Sequence, residues 1–185
     1  MSYEGVEERV AELKKQEQVI NDRITEFLLP IQAEIGLHLF NKKTGIQNVA
    51  ETLNSKHKYF NDKLYTVERY NDDKELVFSY KDTKSGVEER ITYSYDENSF
   101  NVIGVIAVCN DGKGNIICEE HKMDSEGNVT RIISMRDVNR STAMRIFYYP
   151  DKSSKYILDD YLSSEELLMK DGNVIKYTIT PSPDY

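Results

Sequence analysis

The chain has 185 residues and a formal net charge of −8, from 32 Asp+Glu against 24 Lys+Arg. Nine Gly, four Pro and two Cys exclude a collagenous chain, a Pro/Gly-rich disordered chain and a disulfide-dense scaffold. The length suits one domain, and no apolar run approaches the roughly 20 residues that span a bilayer.

Residues 3–29 read as one long helix. Val6, Val10, Leu13, Ile20, Ile24, Phe27 and Ile31 recur at alternating steps of three and four, and Glu17 fills the one missing place. That is an a/d heptad sustained for more than three heptads. Two uses fit it: a helix laid over a sheet, or a seam with a second helix. The narrow stripe favours the seam, Glu17 weakens it, and Val10, Leu13, Ile20, Ile24 and Phe27 are the expected self-association residues of a homodimer. Pro30 disfavours helix at Leu29 and ends the element.

Residues 31–45 fit a strand or a short helix. Residues 46–60 read as a second helix, capped by Thr44 or Asn48, with Ile46, Val49, Ala50, Leu53 and Phe60 on one face.

From Leu64 onward the hydrophobic period changes to two. Strands are expected near 64–70, 75–81, 88–95, 101–109, 115–122, 128–135, 142–149, 154–159 and 173–180. Turn residues separate them, among them Asn71–Asp73, Asp111–Gly114, Asp124–Gly127 and Asp171–Gly172. Residues 160–170 read as a helical turn capped by Ser163 or Ser164. Asp111-Gly-Lys-Gly-Asn-Ile116 and Asp124-Ser-Glu-Gly-Asn-Val129 match at an offset of 13. The pair resembles hairpin-repeat sheets, although turn chemistry alone produces such matches. The expected fold is α+β. Helices in a segment 1–62 lie with a large antiparallel meander over 63–185, long enough to close into a barrel, and the two parts form one compact domain.

Few groups point to chemistry. Cys118-Glu-Glu-His121 has a ligand-like composition. On a strand, however, Glu119 and His121 share one face and Cys118 and Glu120 the other, which gives two ligands to a face where a zinc site needs three or four. Asp111-Gly-Lys-Gly-Asn115 lacks the helix that a phosphate loop needs. No nucleophile or zincin motif occurs, so no catalytic residue, metal or cofactor is expected. Cys109 and Cys118 are expected as free thiols, although a cross-hairpin disulfide stays geometrically open.

The acidity opposes nucleic-acid and anionic-membrane binding, both of which need clustered Lys/Arg. It lies in the C-terminal part, where residues 61–185 carry 16 basic and 23 acidic side chains. Asp159, Asp160, Glu165 and Glu166 fall within eight residues, flanked by Tyr156 and Tyr161. Acid steers a basic partner and Tyr anchors it, so these six are the expected partner-binding residues. Arg131, Arg136, Arg140 and Arg145 are expected to pair with cross-strand acids. The function expected first is a non-enzymatic module for a basic protein partner. By size and charge it is similar to immunity proteins and phage-encoded inhibitors of nucleic-acid enzymes. A β-barrel carrier of a small apolar ligand is the alternative, and a metal-dependent hydrolase or nuclease the second. An acidic N-terminus without an apolar core makes the cytoplasm the expected location.

Overall fold

The computed structural model describes residues 4–28, 57–60, 63–70, 74–96, 98 and 102–181. Among these residues one helix, α1 (Glu4–Phe27), is followed by eleven strands. These are β1 (His57–Phe60), β2 (Lys63–Tyr70), β3 (Glu75–Lys81), β4 (Glu88–Tyr95), β5 (Val102–Asn110), β6 (Asn115–Met123), β7 (Val129–Asp137), β8 (Thr142–Tyr148), β9 (Ser153–Asp159), β10 (Ser163–Lys170) and β11 (Asn173–Pro181). Each strand pairs antiparallel with the next, so the order in the sheet is the order in the chain.

The α+β class and the antiparallel meander hold, with three corrections. The sheet is open, with β1 and β11 as its edges, and does not close into a barrel. Residues 57–60, expected in the second helix, form β1 and pair with β2, so α1 is the only helix among the described residues. The expectations for 31–45 and 46–56 lie outside the described residues. Residues 163–170, expected as a helical turn, are β10, because its alternation Glu165, Leu167, Met169 buries one face against neighbours on both sides.

Local turn chemistry sets the strand limits. Asp111 Oδ1 accepts from the amides of Lys113 at 2.7 Å and Asn115 at 3.1 Å. Asp124 Oδ1 accepts from Glu126 and Asn128, both at 2.9 Å. The two matching segments are therefore the same Asp-stapled hairpin turn. Asp171 and Gly172 both have positive φ, 53° and 78°, as a two-residue hairpin turn requires.

The registers line up residues in rows across the sheet. One inner row runs Val67, Phe78, Ile91, Ala107, Glu119, Ile133, Ile146, Tyr156, Leu167 and Tyr177. Most of it is buried, and it forms one cluster with Leu13, Ile20, Ile24 and Leu28 of the helix segment. The outer rows carry Arg90, Val108, Cys118, Ser134, Arg145, Ile157 and Glu166. Cys109 lies on the inner face and Cys118 on the outer, so the two thiols point apart and are free.

The heptad stripe meets this sheet and not a second helix. Leu13, Ile20 and Ile24 are buried in the chain's own core, and Val10 and Phe27 pack against it. A side chain without exposed surface cannot form a seam unless the helix leaves the sheet. Burying each Leu or Ile contributes about 1.5–3 kcal/mol, which holds the helix in place.

Among the described residues one buried side-chain polar group lacks a partner. The hydroxyl of Tyr93, on the inner face of β4, makes no hydrogen bond, and burial pushes its pKa up. Leaving such a group unsatisfied costs about 1–3 kcal/mol. Tyr93→Phe is therefore expected to raise the urea midpoint at unchanged m-value. A lowered midpoint would mean that the hydroxyl has a solvent partner.

Candidate functional site

The buried polar groups on the inner face of the sheet form four clusters, three of which include residues of the helix. At its N-terminal end, Arg9 Nε and Nη2 donate to Glu165 at 2.8 and 2.7 Å, and the Tyr177 hydroxyl donates to the same carboxylate. Near its middle, Tyr148 and Tyr156 donate to Glu17 Oε2 at 2.5 and 3.0 Å, and Lys14 donates to the Tyr156 hydroxyl at 2.7 Å. Further on, Arg131 Nε and Nη2 donate to Glu119 Oε2 at 2.9 and 2.7 Å, and Nη2 reaches Asn21 Oδ1 at 3.4 Å. A fourth carboxylate, Glu89, takes Lys63 at 3.0 Å and the Tyr65 hydroxyl. Each buried acid thus has a cation beside it, as burial of charge requires.

The titration behaviour follows. The Arg9 hydrogen bonds hold the Glu165 carboxyl below its ordinary range, against burial. Burial, and then the hydrogen bond to Glu165 and its charge, push the Tyr177 phenol up to about 12. Burial works to lower the Lys14 ammonium, but its bond to Tyr156 and the Glu17 charge outweigh this and raise it. His121, opposite Arg131 in the register and two residues from Glu119, is lowered by burial. Burial raises the thiols of Cys109 and Cys118 to about 12 and about 11, so neither is a thiolate near neutral pH.

The expected partner-binding cluster divides between structure and surface. Tyr156 and Glu165 are buried, and both bind the helix. Asp159 accepts from Ser164 Oγ at 2.6 Å and lies 3.5 Å from Arg145. Asp160 Oδ1 staples its turn through the amides of Leu162 and Ser163, both at 2.7 Å. Glu166 is exposed on the outer face, and Tyr161 in the β9–β10 turn is 62% exposed. Strand alternation sends Glu165 and Glu166 to opposite faces, so four acids adjacent in sequence do not make one patch. Of the four Arg, Arg131, Arg140 and Arg145 pair with Glu119, Asp137 and Asp159.

No protein family, curated protein or solved structure matches this chain.

Two open cavities flank Asp160. One of about 510 Å³ lies at the helix N-terminal end, with Val6, Arg9, Leu158, Glu165, Tyr177 and Ile179 among its walls. The other, about 320 Å³, lies between Val19, Ile20, Met144, Asp137 and Arg140. Tyr161 and Leu162, which follow Asp160 in the β9–β10 turn, are exposed, as is Ile179 in the wall of the first cavity. Sequence reasoning missed Arg9, Lys14, Tyr148 and Tyr177 as members of these clusters. One hint was present: Glu17, an acid at an apolar heptad place, aims at the sheet tyrosines. Among the described residues no three His, Cys, Asp or Glu form a metal-holding group.

The acid limb of stability has a definite sign. His121 and Glu165 both have folded pKa values below their ordinary 6.5 and 4.5. The unfolded chain therefore binds more protons, and stability rises with pH. The His121 contribution fades as pH falls below 6.5, and that of Glu165 as it falls below 4.5. Melting temperature is expected to drop in two stages between pH 7 and pH 3, and His121→Gln is expected to remove the upper one. An unchanged upper stage in that variant would assign it to another group.

Proposed function

We propose that the protein is a non-enzymatic interaction module for a basic protein partner. Its docking surface lies at the β9–β10 end of the sheet, beside the N-terminal half of α1. The observation that supports this is Asp160, which lines both open cavities, with the exposed Tyr161 and Leu162 next to it in the β9–β10 turn. Exposed aromatic and aliphatic side chains beside acids suit a partner that brings Lys or Arg with apolar contacts. A net charge of −8 steers such a partner and repels polyanions. This surface keeps Tyr161 and Asp160 from the expected cluster and replaces Tyr156 and Glu165, which serve the helix. The inhibitor and immunity-type readings are particular forms of the same proposal. The carrier and hydrolase readings have no comparable observation behind them, because α1 packs on the inner face of the sheet and the buried acids of that face are paired.

The test is affinity capture from host lysate at low and moderate salt, with wild type beside a Tyr161→Ala/Leu162→Ala variant. One stoichiometric basic protein, released by salt and lost in the variant, supports the proposal. Either no partner, or a partner that the variant retains, overturns the assigned surface.

A further inference from the structure

We propose that β11 is the seam of a symmetric homodimer, in which two copies pair edge to edge, antiparallel about Tyr177, and join their sheets. Three observations carry this.

First, β11 is a long open edge. Among the described residues it has nine residues and pairs only with β10, whereas the opposite edge, β1, has four. An edge strand presents unpaired N–H and C=O groups, and natural proteins guard such strands with charges or cover. Here Lys176 is the only charged residue between Asn173 and Pro181. Second, the two most exposed aliphatic side chains among the described residues are Ile175 at 59% and Ile179 at 57%, both on this strand. Ile175 is the extra residue of the bulge between the Met169–Val174 and Leu168–Lys176 pairs, so it has no partner on β10.

Third, the strand is complementary to itself. Its midpoint is Tyr177, so a two-fold axis there engages all nine residues. Ile175 then faces Ile179 of the second copy, and Ile179 faces the other Ile175. Both exposures are covered by one contact, and apolar β-branched pairs favour a sheet. Lys176 faces Thr178, so no like charges are opposed. A strand without acid is also where two chains of charge −8 approach with least repulsion. An isologous contact of this kind closes as a dimer and does not propagate.

The register is tested directly with cysteines. A mixture of Ile175→Cys and Ile179→Cys chains is expected to form a disulfide-linked dimer on mild oxidation, and neither variant alone is. Sedimentation equilibrium of wild type is expected to show twice the 21.5 kDa chain mass at tens of micromolar. Ile175→Lys/Ile179→Lys should return it to one chain mass, with an unchanged melting profile below the dimer range. Monomeric wild type at millimolar concentration overturns the proposal. So does a dimer that survives the double lysine variant, or cross-linking in either cysteine variant alone as efficient as in the mixture.

Discussion

Ile20→Asp is expected to abolish the cooperative fold and not to release folded monomers. Ile20 has no exposed surface and packs among Leu13, Ile24 and the inner face of the sheet. An aspartate there either stays charged without a partner or takes up a proton and still leaves polar oxygens unsatisfied. Either outcome costs more than about 4 kcal/mol, a large part of the roughly 5–15 kcal/mol that holds a domain together. The check is a circular-dichroism melt beside Val19→Asp, whose parent side chain is exposed on the same helix. Val19→Asp is expected to stay within about 0.5 kcal/mol of wild type. An Ile20→Asp chain that kept a cooperative sheet transition would show that the sheet does not need α1.

Gly112→Ala is expected to cost about 2–4 kcal/mol, and Gly127→Ala only about 1 kcal/mol. Both glycines have positive φ, 76° and 86°, so both lose the conformational freedom that glycine alone gives. The difference is in what surrounds them. A Cβ on Gly112 would stand 2.4 Å from the carbonyl oxygen of Ser85 and 3.1 Å from the carbonyl carbon of Gly86, whereas one on Gly127 meets nothing within 4 Å. The β5–β6 turn therefore seats against the β3–β4 turn, backbone to backbone, and backbone cannot swing aside as a side chain does. Urea midpoints of the two variants decide it. Equal losses would mean that the two turns separate without cost.

Apart from β10, the strands from β2 to β11 were legible from residue pattern to within two residues. Their limits are local: an Asp that staples amides two and four residues on, or a glycine at positive φ, ends a strand whatever lies across the sheet. The expectation for 160–170 failed on competing local cues. Ser163-Ser-Glu-Glu166 has the look of a helix start, yet β9 and β11 on either side supply a full ladder to an extended chain, and the ladder prevailed. The seam reading of the N-terminal helix failed for a different reason. A heptad stripe records that one face is apolar, not what covers it. The apolar inner face of a sheet covers it as well as a second helix does.

The candidate site was legible only in part. Tyr161 and Asp160 were readable as exposed turn residues at an acidic stretch. Tyr156 and Glu165 looked the same in one dimension, and the parity of the pleat turned both inward, toward Lys14, Glu17 and Arg9. Arg9 and Glu165 are 156 residues apart, and Tyr148 and Glu17 are 131 apart. Composition, the change of period from 3.5 to 2 and the turn chemistry are properties of neighbouring residues, so they set the α+β class and the strand boundaries from the chain alone. Whether the sheet closed, which acids were buried with a cation and which edge stayed open depended on contacts between distant segments. Those exist only once the meander has packed against its helix.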